Sequence, residues 1–336
     1  MKVRNIGDLF VLNLIIWLGA CSKGGSSGSV AEIVYISGYE ESAGFSISKI
    51  WKDGVATALT DGTHASSLSS LFLSGTDVFV GGTDYDSITG EIGKHWKNNE
   101  GTAVDRIASD SSRINGITVV DGQVHAAGQI DDVALRAIYW LDGNSSYLTD
   151  GTRAASALGI YADESDIYIA GFENNGSVNV AKIWKNGVAT LLTDGTRNAK
   201  ALSVFVYQSD VYAAGFENNG TNNVAKYWKN GVESALSDGS AGAMATALVI
   251  ENGDVHAAGF DGNVLKSWKN DEATSLTDGV NSSYAGGLAV SGDDIYIVGS
   301  ENSGVLDHAK VWKNGVSTPL TDGAYNSYAS AIAIGP

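Results

Sequence analysis

From residue 31 onward, short runs of alternating apolar and polar residues recur, each closed by a turn signal, and no stretch carries a sustained helical period. Four such runs make one unit. In the stretch 154–193, Ala154 to Tyr161 is small and apolar (strand A). Asp166-Ile167-Tyr168-Ile169-Ala170-Gly171-Phe172 alternates (strand B), and Asn179 to Lys185 ends in Lys182-Ile183-Trp184-Lys185 (strand C). Val188 to Thr193 follows as strand D. Asn186-Gly187 joins C to D, which predicts a tight hairpin, because both central positions of such a turn need positive φ. The same dipeptide stands at 230–231 and 314–315, and Asp-Gly replaces it at 53–54 and 142–143.

The unit is repeated seven times. Trp51, Trp96, Trp140, Trp184, Trp228, Trp268 and Trp312 are spaced by 45, 44, 44, 44, 40 and 44 residues. A Gly precedes each of them by 9 to 14 residues: Gly38, Gly82, Gly128, Gly171, Gly215, Gly259 and Gly299. Asp-Gly follows ten residues later in six copies, at Asp61, Asp150, Asp194, Asp238, Asp278 and Asp322. Four antiparallel strands in each of seven units predict an all-β fold, a seven-bladed β-propeller. The first copy enters at strand B (Ile33 to Tyr39) and the chain stops after a strand A, Ala329 to Ile334. The C-terminal inner strand is therefore expected to close the ring by pairing with the N-terminal strands.

The aromatic-x-x-x-Gly strand, followed one strand later by Trp, resembles bacterial kelch-like seven-bladed propellers over residues 31–336. The resemblance implies the architecture and no particular ligand. The chain departs from kelch proper in having paired Gly only at Gly81-Gly82, and it lacks the Trp-Asp dipeptide of WD40 repeats.

The first 20 residues read differently. Lys2 and Arg4 precede an apolar run from Leu9 to Leu18, too short to span a bilayer comfortably and apt for a signal peptide. Leu18-Gly19-Ala20-Cys21 resembles a bacterial lipobox, which implies cleavage before Cys21 and a lipid on its thiol. Residues 1–20 are read as a removed signal peptide, 21–30 as a flexible Gly/Ser-rich tether, and 31–336 as the propeller. The expected location is the bacterial cell envelope, held to the membrane through Cys21; Ser22 after it resembles outer-membrane sorting.

Composition narrows the function. Hydrophobic residues are 43 % of the chain, enough for a packed core, and a single Cys excludes a disulfide framework. With 21 Lys plus Arg against 38 Asp plus Glu, the net charge is −17. Removing the signal peptide takes Lys2, Arg4 and Asp8, leaving 19 basic and 37 acidic residues, a net of −18. Nucleic acid and anionic lipid, which need clustered basic residues, are not expected partners.

Repeated residues are structural first. The seven Trp are read as core between blades rather than sugar-stacking platforms, and the Asp-Gly pairs as Asx turns rather than calcium ligands. His125 and His256 take the strand-B position held elsewhere by Tyr35, Phe79, Tyr168, Tyr212 and Tyr296, while His95 precedes Trp96 and His64 and His308 stand in separate loops. No His pair has metal-ligand spacing, and no nucleophile elbow or phosphate loop is present, so neither metal nor cofactor is expected.

Strand order places the B–C and D–A loops on one face, where the copies differ. Glu173 and Asn174, and likewise Glu217 and Asn218, open long polar B–C loops. Asp261 and Asn263 mark a shortened one in the sixth copy, predicting a notch in the rim. His64, Arg113, Arg153 and Arg197 are assigned to consecutive D–A loops as a basic arc suited to an acidic glycan or a carboxylate. These ten residues are the candidate ligand-binding set. The resulting expectation is a monomeric, non-catalytic binding module for a glycan or protein. The alternatives are a lyase or hydrolase working at the central channel and an inert spacer.

Overall fold

The computed structural model describes residues 32–335 apart from 43, 87–89, 105–110 and 133, together with a two-residue bridge, Asn13–Leu14, that runs parallel to Ser70 and Leu71. Cys21 and the other residues read as signal peptide and tether, 1–12 and 15–30, lie outside the described residues.

Seven four-stranded antiparallel blades surround a central channel, each ordered A-B-C-D from the innermost strand outward. Blade 4 is representative: Ala155–Ala162, Ile167–Asn174, Asn179–Lys185 and Val188–Leu191. The closing blade is composite. Ser327–Gly335 pairs with Ile33–Glu41, from Ile33 opposite Gly335 to Glu40 opposite Ser327, and Ser46–Lys52 and Val55–Ala58 complete it. This blade, counted as blade 1, is the closure expected from where the repeats start and stop.

The core lies between blades. All seven repeat Trp side chains are buried, at 0–2 % exposure. Trp184 and Ile169 of blade 4 share a cluster with Ala127 and Ala137 of blade 3 and with the inner residues Ala155 and Ala157. Small inner residues let the A strands converge on the axis, and the indoles fill the wider gap farther out.

The repeated Gly has a specific steric cause. In every blade the A–B pairing shifts register beside it, leaving one extra residue in strand A. In blade 4, Gly171 faces Ala157 and Ala170 faces Gly159, so Leu158 is the bulged residue. The bulge presses the strand-A backbone inward: a Cβ on Gly171 would overlap the carbonyl oxygen of Ser156. The same overlap would arise at the equivalent Gly of the other six blades. Such bulges re-aim side chains, and here Ser69, Asn115 and Thr246 reach the inner strand of the next blade through hydrogen bonds to the Ile114, Ala157 and Ala285 carbonyls.

Each C–D turn places two successive residues at positive φ, such as Asn186 (49°) and Gly187 (81°). The first also fastens the start of strand B. Asn186 Oδ1 accepts from Ile167 N at 2.8 Å and Asn186 Nδ2 donates to Asp166 at 2.7 Å, while Lys185 pairs with Asp166 at 2.8 Å. The same Asn-Asp-Lys set recurs in blades 2, 5, 6 and 7. In blades 1 and 3 the turn residue is Asp53 or Asp142, and the facing residue changes to Ile33 or Gln123, which avoids opposing carboxylates.

Candidate functional site: the mouth of the central channel

The channel opens on the B–C/D–A face into a cavity of about 630 Å³. Three positions per blade converge on it. One is the residue whose carbonyl crowds the Gly: Tyr328, Ser67, Arg113, Ser156, Lys200, Met244 and Tyr284 in blades 1 to 7. Another is the bulged residue: Ser330, Ser69, Asn115, Leu158, Leu202, Thr246 and Gly286. The third follows the Gly: Tyr39, Thr83, Gln129, Phe172, Phe216, Phe260 and Ser300. All of these but Leu202 and Phe216 line the cavity. Blades that share the Gly and the Trp differ at these three positions where they meet the channel.

The large side chains fall on two sides, with the small polar Thr246, Ser300 and Ser330 among the apolar ones. Blades 4, 6, 7 and 1 supply an apolar, aromatic arc of Leu158, Phe172, Met244, Phe260, Tyr284, Tyr328 and Tyr39. Phe260 and Tyr284 meet edge to face at 5.4 Å, Tyr39 and Tyr328 pack at 4.9 Å, and Lys200 Nζ lies 4.4 Å from the Phe172 ring. Burial pushes both the Tyr39 and Tyr328 phenols upward, and Tyr328 also donates to Asp307 Oδ2 at 2.5 Å, so both remain neutral.

Blades 2 to 4 supply a polar arc. Arg113 Nε donates to Glu91 Oε2 at 2.7 Å, Ser156 Oγ donates to Gln129 Oε1 at 2.7 Å, and Asn115 Nδ2 donates to the Ala157 carbonyl at 2.8 Å. Asp131 lines the same wall. Asn115 is only 6 % exposed, and its Oδ1 accepts no hydrogen bond among the described residues.

The expected loop residues fare differently. Glu173 and Asn174 end strand B instead of opening a loop, as do Glu217 and Asn218, because the A–B–C pairing extends through them. Glu173 pairs with Lys182, and Glu217 with Lys226 at 2.6 Å. Equivalent pairs recur in blades 1, 2, 6 and 7, so these acids serve the blade structure, whereas blade 3 has Ile130 and Ile138 at the two positions and pairs Arg136 with Asp132 instead. Asn174 and Asn218 close their own turns by accepting from Gly176 N (2.8 Å) and Gly220 N (2.7 Å). A smaller cavity of about 290 Å³ lies beside Glu173, Asn174, Lys182 and Asp194 on the outer part of blade 4.

The basic arc does not assemble at the mouth. Arg113 lies in strand A, Ser111–Val120, not in a D–A loop, and of the four residues it alone lines the cavity. Arg153 and Arg197 lie against Gly176 and Gly220 of their own blades. His64 is exposed and stacks on Tyr85 at 5.7 Å, with Phe45 at 6.3 Å. Asp261 and Asn263 flank Gly262 in a tight turn between Asp254–Asp261 and Val264–Lys269, with Asp261 3.5 Å from Lys266.

The Asp-Gly loops are Asx turns: Asp194 Oδ1 accepts from Thr196 N (2.8 Å) and Oγ1 (2.7 Å), and those bonds hold its carboxyl below the usual range. Among the described residues, no group of three or more His, Cys, Asp or Glu is placed to hold a metal ion.

No protein-family model and no curated protein matches the chain. Solved structures do resemble it. The β-propeller domain of the Trilobed protease from Pyrococcus furiosus aligns with a TM-score of 0.53 at 10 % identity, over 87 % of this chain and 95 % of that one. That domain is described as having an open velcro topology, whereas here the composite blade closes the ring. Pyrococcus horikoshii acylaminoacyl peptidase aligns with a TM-score of 0.45 at 13 % identity, over 79 % of this chain and 48 % of its own length. At these identities the likeness to the protease domain is one of fold.

Proposed function

We propose that the protein is a non-catalytic recognition module, tethered to a bacterial cell envelope through a lipid on Cys21, whose ligand enters the channel mouth. One observation carries the reading of the mouth. Blades built to one template keep the Gly and the Trp that folding requires, and they diverge at three positions that line a single cavity. A spacer would have no use for that divergence. The chemistry favours binding over turnover: no His lines the cavity, and Ser69 and Ser156 direct their hydroxyls to protein carbonyl or amide oxygens.

The test is a ligand screen of the purified protein against immobilised glycans and peptides, with two double variants. Lys200→Ala with Tyr284→Ala removes two mouth residues and is expected to abolish binding. Arg153→Ala with Arg197→Ala alters only the outer turns and is expected to retain it. The opposite pattern would move the site to the D–A loops and refute the proposal.

A further inference from the structure

Resting on the reading of the mouth as the binding site, we infer that its ligand is a neutral oligosaccharide. Charge is the first argument. Among the described residues, four charged side chains line the cavity, Glu91, Asp131, Arg113 and Lys200, two of each sign. Arg113 is engaged by Glu91 and Lys200 sits over the Phe172 ring. The described lining of the mouth is thus balanced within a chain of net charge −17. A balanced site gives a charged ligand no net attraction to offset its desolvation.

The second argument is the facing walls. Tyr284 is 43 % exposed and is held edge to face by Phe260, so one ring face stays open to the cavity. The face of an aromatic ring carries the negative part of its quadrupole and attracts the polarised C–H groups of a pyranose. Across from it, Asn115 Oδ1 presents an acceptor that no described residue engages, and Gln129, whose Oε1 accepts a hydrogen bond from Ser156 Oγ, presents amide hydrogens that no described residue accepts. A donor and an acceptor side by side suit vicinal hydroxyls, each of which both donates and accepts. A cavity of about 630 Å³ has room for more than a single sugar ring.

The experiment is calorimetric titration of the purified full-length protein. The probes are tetrasaccharides of glucose, N-acetylglucosamine, mannose, xylose and galactose, with tetragalacturonate as the anionic counterpart and a hexapeptide library as the peptide arm. At least one neutral tetrasaccharide is expected to bind, with affinity unchanged between about 0.05 and about 0.5 M salt. Tyr284→Ala and Gln129→Ala are each expected to weaken binding about tenfold, and Tyr284→Phe to retain it. An unaltered melting temperature in each variant separates lost binding from lost folding. If only tetragalacturonate or a peptide binds, and Tyr284→Ala abolishes it, the saccharide inference falls while the mouth remains the site. If nothing binds, or if binding ignores these variants and Lys200→Ala alike, both readings fall.

Discussion

Gly171 and Leu158 are two consequences of one local distortion. The bulge in strand A forbids a side chain on Gly171 and leaves Leu158 buried at the cavity wall, in a cluster with Phe172, Leu202 and Phe216. Gly171→Ala is therefore expected to destabilise the fold by about 1–3 kcal/mol in denaturant titration, as overpacking against a fixed backbone. Trp184→Ala removes an indole with 1 % exposure and is expected to cost about 3–5 kcal/mol. A third effect comes from the imidazoles. Burial holds His95, His125 and His256 below the ordinary value of 6.5; Asp142 opposes the shift at His95 and His125, while Lys269 reinforces it and Asp254 opposes it at His256. The unfolded chain takes up these protons first as pH falls through 6.5, so stability is full above that pH and declines toward the lower folded values. Thermal melts at about pH 7.5 and about pH 5 should show this loss, and His256→Tyr, the residue at positions 168, 212 and 296, should reduce it. The Trp and Gly positions were legible from their recurrence. The bulged residues were not, because an extra residue breaks the period-two alternation by which a strand's faces are read, and so Leu158 reads in sequence as an ordinary member of a small inner strand.

Among elements, the C–D hairpins were read most directly, since Asn-Gly specifies its own turn. Blades 2 and 6 lack the Gly and place Asn99 (φ 75°) and Asp271 (φ 72°) in that position. Asn99→Gly and Asp271→Gly are expected to raise stability by about 0.5–1 kcal/mol each, measured by the same titration. The Asn-Asp-Lys networks at these turns pass unnoticed in a linear reading, because Asp166 and Asn186 lie 20 residues apart and meet only once strands B and C pair. The same holds for Glu173 and Lys182, which sequence alone presents as a loop acid and a strand base. The closing strand supplies the inner edge of blade 1, contacts its neighbours on both sides and joins the two ends of the propeller chain. Deleting residues 327–336 is expected to abolish the cooperative thermal transition, and a retained sharp melt would show that the ring stands without it.

For the molecule as a whole, both ends of the propeller chain lie on the face opposite the mouth. Ile33 pairs with Gly335, and Val34 N donates to Asp53 Oδ1 of the C–D turn, whereas Tyr39 and Tyr328 reach the cavity at the other end of the same two strands. A tether of ten residues has a root-mean-square reach of only about 16–19 Å, so a lipid on Cys21 would hold the C–D face near the membrane and turn the mouth outward. Fluorophores attached at Asp293→Cys, on the A–B/C–D face, are expected to be quenched by spin-labelled lipid more strongly than at Thr221→Cys, on the mouth face. Equal quenching, or membrane partitioning that survives Cys21→Ser, would contradict the tethered arrangement.

The central claim is that divergence among the blades encodes a single recognition site at the mouth. Its most direct test replaces Arg113, Lys200, Met244 and Tyr284 together by Ser, the residue already present at the equivalent position in blades 2 and 4. Calorimetric titration of this variant with the ligand retained by the parent protein should show no heat of binding, while the thermal transition stays cooperative. Undiminished affinity in the variant would place recognition elsewhere and leave the divergence of the mouth without a function.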